Sequence, residues 1–161
     1  MLEIDKSCLV LIDLQGKLAQ SMYEKDSLFG NVAILVKAAE LLEIPILWLQ
    51  QCPEALGPTI ADVVELLGER QPLNKTSFSC CGHEPFNRRL LELGRDQVLL
   101  CGIEAHVCVY QTAVELLRKG YDVTVVTDAV SSRTLQNKPV SYTHLRAHET
   151  SLHLVCRLLL E

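Results

Sequence analysis

Along the chain, short apolar runs alternate with longer stretches whose apolar residues recur every three or four positions. The run CLVLID (8–13) predicts a buried strand, and NVAILVKAAELLE (31–43) an amphipathic helix. PILWLQ (45–50) predicts a second strand, opened by Pro45 where a missing N–H does little harm. TIADVVELLG (59–68) predicts a short helix with Thr59 as cap and Gly68 as stop, and EPFNRRLLELG (84–94) repeats that grammar with Gly94. RQPLN predicts a short strand ending near Lys75, and QVLLCGI (97–103) and DVTVVTDA (122–129) predict two more. The helix HVCVYQTAVELLRKG (106–120) lies between these last two. It closes on Arg118, Lys119 and Gly120, where the helix dipole favours cations and the C-cap favours glycine.

Near-continuous Val, Leu and Ile strands alternating with helices imply a parallel sheet covered on both faces. The expected fold class is therefore α/β, a three-layer αβα domain with a mostly parallel, Rossmann-like sheet. Right-handed crossovers then bring the carboxyl ends of the strands to one edge, where such folds bind ligands. The alternation stops after residue 138. The last segment, 139–161, resembles a translated adapter or vector read-through and is set apart from the 1–138 domain. His144, His148 and His153 fall inside it and are read as part of that tail, not as a metal cluster.

Composition narrows the function. A chain of 161 residues, 48% apolar and 22% charged, fits one soluble domain. Its net charge of −5 offers no basic stripe to neutralise phosphates, so nucleic acid is not an expected partner. No apolar run approaches the roughly 20 residues that cross a bilayer, and no basic region precedes the first apolar run. A cytoplasmic protein without a membrane partner is expected. The seven cysteines are odd in number and show no C-x-x-C, so zinc and thioredoxin readings lack their usual support. Cys80 and Cys81 are adjacent and do not bridge each other without strain. Cys8 and Cys101, inside strand-like runs, read as small buried hydrophobes.

Three polar residues fall where the sheet edge should expose them. Asp13 ends the first strand, Lys75 follows the short strand, and Cys108 opens the helix after the fourth. A cysteine in a first helical turn meets the positive end of the dipole, which favours the thiolate. Asp13 is placed to take its proton, Lys75 to stabilise the anions, and neighbouring N–H groups to hold an oxyanion. Each residue alone has a plainer reading: a turn-forming aspartate, a solvated lysine, a core cysteine.

The pieces LVLIDLQ, KTSFS, LCGIEAHVCVYQTA and VVTDAVSSR, ordered along residues 8–133, resemble the isochorismatase-like cysteine hydrolase superfamily. QQCPEALGPT (50–59) looks most like the small isochorismatase-domain hydrolases related to the YcaC group. The resemblance implies a catalytic triad of Asp13, Lys75 and Cys108, and a non-proline cis peptide at Ile103–Glu104. That bond would aim the Glu104 N–H, with that of Cys108, at an oxyanion. Gln15 matches a family position beside the aspartate. Gln15, Trp48, Gln51 and Phe78 are candidates for substrate binding, with core packing the rival reading for Trp48 and Phe78.

Departures from the pattern narrow the chemistry. Nicotinamidases bind a metal through an Asp/His cluster after the second strand, whereas LQQCPEALGPT contains no histidine. His83 and His106 are isolated, so no metal or other cofactor is expected. Isochorismatase itself lacks the cysteine and cleaves a vinyl ether, so Cys108 argues against that reaction. The resemblance thus implies hydrolysis of a small amide or related carbonyl compound, in a homo-oligomer assembled through helices on one side of the sheet. The family's C-terminal strand is expected to be missing, leaving the far sheet edge bare. Two other classes stay open: a non-catalytic oligomeric scaffold, and a thiol redox sensor using Cys108 with Cys80 or Cys81.

Overall fold

The computed structural model describes residues 1–135 and the backbone of Leu152–Val155. Strands form where the apolar runs lie: β1 (Ser7–Ile12), β2 (Ile46–Gln51), β3 (Leu73–Lys75), β4 (Gln97–Gly102) and β5 (Asp122–Val130). The helices among them are α1 (Gly16–Gln20), α2 (Lys25–Leu41), α3 (Pro53–Leu56), α4 (Ala61–Leu67), α5 (Glu84–Leu93) and α6 (Tyr110–Arg118). All neighbouring strands pair in parallel, in the order β3-β2-β1-β4-β5.

Because successive strand residues point to opposite faces, each apolar run feeds two cores. Cys8, Val10, Ile12, Leu100 and Val125 pack with Phe86 and Leu90 of α5 and Ala113 and Leu116 of α6. Leu9, Leu11, Trp48 and Cys101 pack with Val32 and Val36 of α2 and Val63 and Leu67 of α4. This is the three-layer α/β fold the alternation predicts.

The differences are local. Helix α2 starts at Lys25 and not at 31, because Leu28 shares a buried face with Val32, Leu35, Val36 and Ala39. Gly30 sits on its exposed side and interrupts nothing. Helices α1 and α3 are too short for a periodic signal. The predicted helix 106–120 is split: a wide π turn, Ala105–Val109, precedes α6. In that turn the Val109 N–H reaches back to the Glu104 carbonyl, 3.2 Å away.

The far edge of the sheet also differs from expectation. A further strand, β6 (Leu152–Val155), pairs in parallel with β5 from Val123↔Leu152 to Val126↔Val155. Among the described residues the sheet therefore has six strands, and the expected bare edge is taken on the β5 side. The physical reason is the row of unpaired N–H and C=O groups that an edge strand offers to any extended segment. The remainder of the 139–161 tail, His144 and His148 included, lies outside the described residues, as does the side chain of His153.

The strand order reverses between β1 and β4, the switch point where α/β sheets open a crevice beyond the strand ends. Gly102 sets the depth of that crevice. Its φ of +123° is ill suited to L side chains, and a Cβ there would run into the Ile12 carbonyl. With no side chain, the end of β4 lies directly against the end of β1, and Ile103 N–H donates to Ile12 O at 2.9 Å. The segment after β4 is thereby brought beside Asp13.

Candidate active site

Asp13 follows β1 in the left-handed region, φ +54°, which aspartate tolerates better than most residues. The chain turns off the strand axis there, and the buried side chain meets Lys75, the last residue of β3. Lys75 Nζ lies 2.7 Å from Asp13 Oδ2, with the lysine side chain fully buried. Its other acceptors are Gln51 Oε1 at 2.7 Å and the carbonyls of Ser77 and Phe78 at 3.1 and 3.2 Å. Register explains the lysine's position: Gln51 of β2 pairs with Lys75, and the chain beyond β3 folds back so that its carbonyls cap the ammonium.

Cys108 is buried in the π turn, close enough to the Asp13 carboxyl that each group shifts the titration of the other. Asp13 Oδ1 is buried with no hydrogen-bond donor in geometry among the described residues, so this oxygen is available to accept a proton. The Glu104 backbone N–H acts on the same thiol, favouring its ionised form. Asp13, Lys75 and Cys108 therefore form one contiguous group.

The protonation of the nucleophile candidate differs from expectation. A helix start by itself favours the thiolate. Burial first, then the Asp13 charge, push the Cys108 thiol up to about 12 against the opposing effects of Lys75 and the Glu104 N–H. Desolvation outweighs the dipole because the turn is closed by packing. Burial likewise raises the Asp13 carboxyl above its ordinary range, against the pull of Lys75 and the thiol. Burial thus favours the neutral thiol of Cys108 and raises the proton affinity of the Asp13 carboxyl.

The Ile103–Glu104 peptide is cis, at the position the resemblance implies. The Glu104 side chain is buried, with Oε1 2.6 Å from Arg133 Nε and Oε2 3.4 Å from His106 Nδ1. His106 Nδ1 is also 3.0 Å from Ser132 Oγ. Arg133 and Ser132 sit within the VVTDAVSSR segment, but nothing in their spacing links them to Glu104; that link is made by two loops meeting in space.

The four candidate substrate-binding residues separate into different roles. Gln15 is wholly buried and its amide is committed to backbone: Nε2 donates to Gln51 O at 3.1 Å and Gly57 O at 2.7 Å, and Oε1 accepts from Gln51 N–H at 2.6 Å. It holds the end of β1 to the end of β2 and has no amide hydrogen left for a ligand. Trp48 is a core residue, its Nε1 donating to the buried Thr59 Oγ1 at 2.8 Å. Gln51 holds Lys75 through Oε1 and donates through Nε2 to Thr76 O at 2.9 Å. Phe78 is 57% exposed next to the Lys75 cap, so of the four it is the one open to a ligand.

Among the described residues no group of three or more His, Cys, Asp or Glu side chains is arranged to hold a metal ion. Cys80 and Cys81 are buried in a tight turn against α6, where the Cys80 N–H donates to Thr112 Oγ1 at 3.0 Å. Burial pushes both thiols up, Cys81 to about 11.

The isochorismatase domain model matches residues 7–153. The chain is 36% identical over 158 residues to isochorismatase domain-containing protein 2 of Danio rerio, covering 96% of this chain and 78% of that protein. A Caenorhabditis elegans structure described as MAR1 ribonuclease is 35% identical with a TM-score of 0.86, over 95% of this chain and 79% of that one. Escherichia coli YcaC, described as an octameric hydrolase of unknown specificity, shares the fold at 20% identity and a TM-score of 0.88, over 95% and 77% of the two chains. With the domain model matching most of the chain and a relative 36% identical over 78% of its own length, the chain belongs to the isochorismatase-like hydrolase family.

Proposed function

We propose that the protein is a cysteine hydrolase that cleaves a small amide or related carbonyl compound through a thioester on Cys108. The observation that carries this reading is a single buried carboxyl, Asp13, paired with Lys75 at 2.7 Å through Oδ2 and carrying a second, unpartnered oxygen, near enough to Cys108 to act on its thiol. Asp13 takes the thiol proton as the sulfur attacks the carbonyl carbon, so no free thiolate has to accumulate. The N–H groups of Glu104 and Cys108 receive the oxyanion; the Glu104 carbonyl accepts from Val107 and Val109, the residues on either side of Cys108. The tetrahedral intermediate collapses, Asp13 gives its proton to the leaving amine, and water then hydrolyses the thioester with Asp13 as base. Lys75 keeps the aspartate oriented and offsets its charge throughout.

The site favours this reading over a redox sensor. Sensor cysteines are accessible and readily ionised, whereas Cys108 is buried and its thiol is pushed up to about 12. We take the enzyme to be cytoplasmic and homo-oligomeric, acting on a small molecule without a metal.

The test is turnover of an amide and ester panel by wild type, Cys108→Ala and Asp13→Asn, with mass spectrometry for a covalent acyl adduct. RNA joins the panel because the C. elegans relative is named a ribonuclease. Turnover lost in both variants, with an adduct on Cys108 of wild type, is expected. Turnover that survives Cys108→Ala, or RNA cleavage independent of Cys108, would overturn the reading. No turnover and no adduct on any compound would favour the scaffold.

A further inference from the structure

The oxyanion turn is held from its far side by a second loop. Residues 131–133, leaving β5, grip it at three points. Ala105 N–H donates to Ser131 O at 2.9 Å, His106 Nδ1 lies 3.0 Å from Ser132 Oγ, and Arg133 Nε lies 2.6 Å from Glu104 Oε1. The gripping loop is itself anchored, with Tyr23 N–H donating to Ser132 O at 2.9 Å and Ser131 Oγ to Tyr23 O at 2.7 Å.

The Glu104 carboxylate is the unusual part. Its side chain is 8% exposed, yet Oε2 has no hydrogen-bond donor in geometry among the described residues; His106 Nδ1 lies 3.4 Å away. Burying a carboxylate with one oxygen unsatisfied costs stability that an apolar side chain of similar size would avoid. The carbonyl of the same residue accepts from Val107 and Val109, on either side of Cys108, at 3.1 and 3.2 Å, and its N–H acts on the Cys108 thiol. A group that costs stability at that position is best explained by what it holds in place.

We propose that the Glu104 carboxylate and Arg133 are positioning residues that aim the Glu104 N–H at the oxyanion by tying the turn to the β5 exit loop. This rests on the hydrolase reading above. Arg133 acts through Glu104 and does not touch the reacting atoms. Its side chain is 61% exposed, so it can be changed without opening the core.

The experiment uses the full chain and two probes of Cys108. In acetylation by p-nitrophenyl acetate, the sulfur bonds to the acetyl carbon, p-nitrophenolate leaves, and the thiol proton goes to Asp13; an oxyanion develops on the way. In alkylation by iodoacetamide, sulfur displaces iodide and no oxyanion forms. Rates are taken at Cys108 by peptide mapping, for wild type, Arg133→Met, Arg133→Lys and Glu104→Gln. Arg133→Lys retains a cation for the buried carboxylate if Arg133→Met does not fold, and melting curves verify each variant.

Acetylation slowed about tenfold in Arg133→Met and Glu104→Gln is expected, because a small misplacement of an oxyanion donor is costly. Alkylation should slow less than acetylation, because the Glu104 N–H favours the thiolate in both reactions but meets an oxyanion only in acetylation. Arg133→Lys should fall between wild type and Arg133→Met. Unchanged acetylation in a folded variant, or equal slowing of both reactions, would overturn the proposal. Failure of the hydrolase reading looks different: wild-type Cys108 is then not acetylated, or Asp13→Asn leaves its acetylation unchanged, and the proposal falls with it.

Discussion

Lys75 Nζ lies 2.7 Å from Asp13 Oδ2, both side chains out of water, at the carboxyl ends of two strands separated in the sheet by β2. Gln51, at the end of the intervening strand, accepts from the same ammonium. The pair spans the sheet edge and delivers the aspartate to the cysteine that follows β4.

The first prediction concerns that pair. Asp13→Asn leaves a buried ammonium without its carboxylate, and Lys75→Met leaves the converse, each costing about 3–5 kcal/mol of stability. The double variant should recover part of this, because neither charge then remains buried alone. Urea denaturation of the four proteins measures the coupling. Singles that cost no more in sum than the double would mean the pair contributes nothing specific. Activity should stay at least about a hundredfold down in all three variants.

The second concerns alkaline pH. Burial pushes the thiols of Cys8, Cys101 and Cys108 up to about 12, from an ordinary value of 9.0. Above pH 9 the unfolded chain releases these protons while the native state retains them, so the native state binds more protons and stability falls as pH rises. The contribution is fully present below pH 9 and is lost progressively as pH rises through 12. Urea midpoints from pH 8 to 11 should fall, and fall less steeply in Cys8→Ala. Equal slopes would contradict the assignment. Alkylation of Cys108 should be slow at pH 8 compared with the partly exposed Cys52.

The third concerns Gly102. An alanine there would meet the Ile12 carbonyl and sit at an unfavourable positive φ. The backbone term alone is roughly 1–3 kcal/mol, and relief of the clash has to push β4 away from β1. Gly102→Ala should therefore lose stability and Cys108 acetylation together. Near-wild-type values of both would show that the two strand ends are less tightly opposed than described.

The fourth separates holding from binding. Gln15→Leu removes three hydrogen bonds to backbone and should cost about 1–3 kcal/mol. Trp48→Phe removes the bond to Thr59 and should cost about 1 kcal/mol with an unchanged KM. Phe78→Ala should do the reverse, raising KM with little change in melting temperature, because its ring is 57% exposed. A large KM change in Trp48→Phe, or none in Phe78→Ala, would reverse these roles.

The sequence by itself determined the sheet and its address. Apolar runs of strand length, separated by helix-period segments, specify a parallel α/β sheet, and polar residues just past those runs must lie on its carboxyl edge. Asp13, Lys75 and Cys108 were legible for that reason: Asp13 directly follows β1, Lys75 ends β3, and Cys108 lies in the turn that leads from β4 into α6. Tertiary structure decided what sequence periodicity does not encode: how deep each group is buried and what it meets across loops. Depth reversed the expected ionisation of Cys108, because desolvation depends on packing from every side and not on helix position. Loop meetings gave Gln15 and Trp48 structural partners, put a strand on β5, and joined Glu104 to Arg133. The periodic signal is local, whereas solvation and partner choice are sums over neighbours distant in sequence.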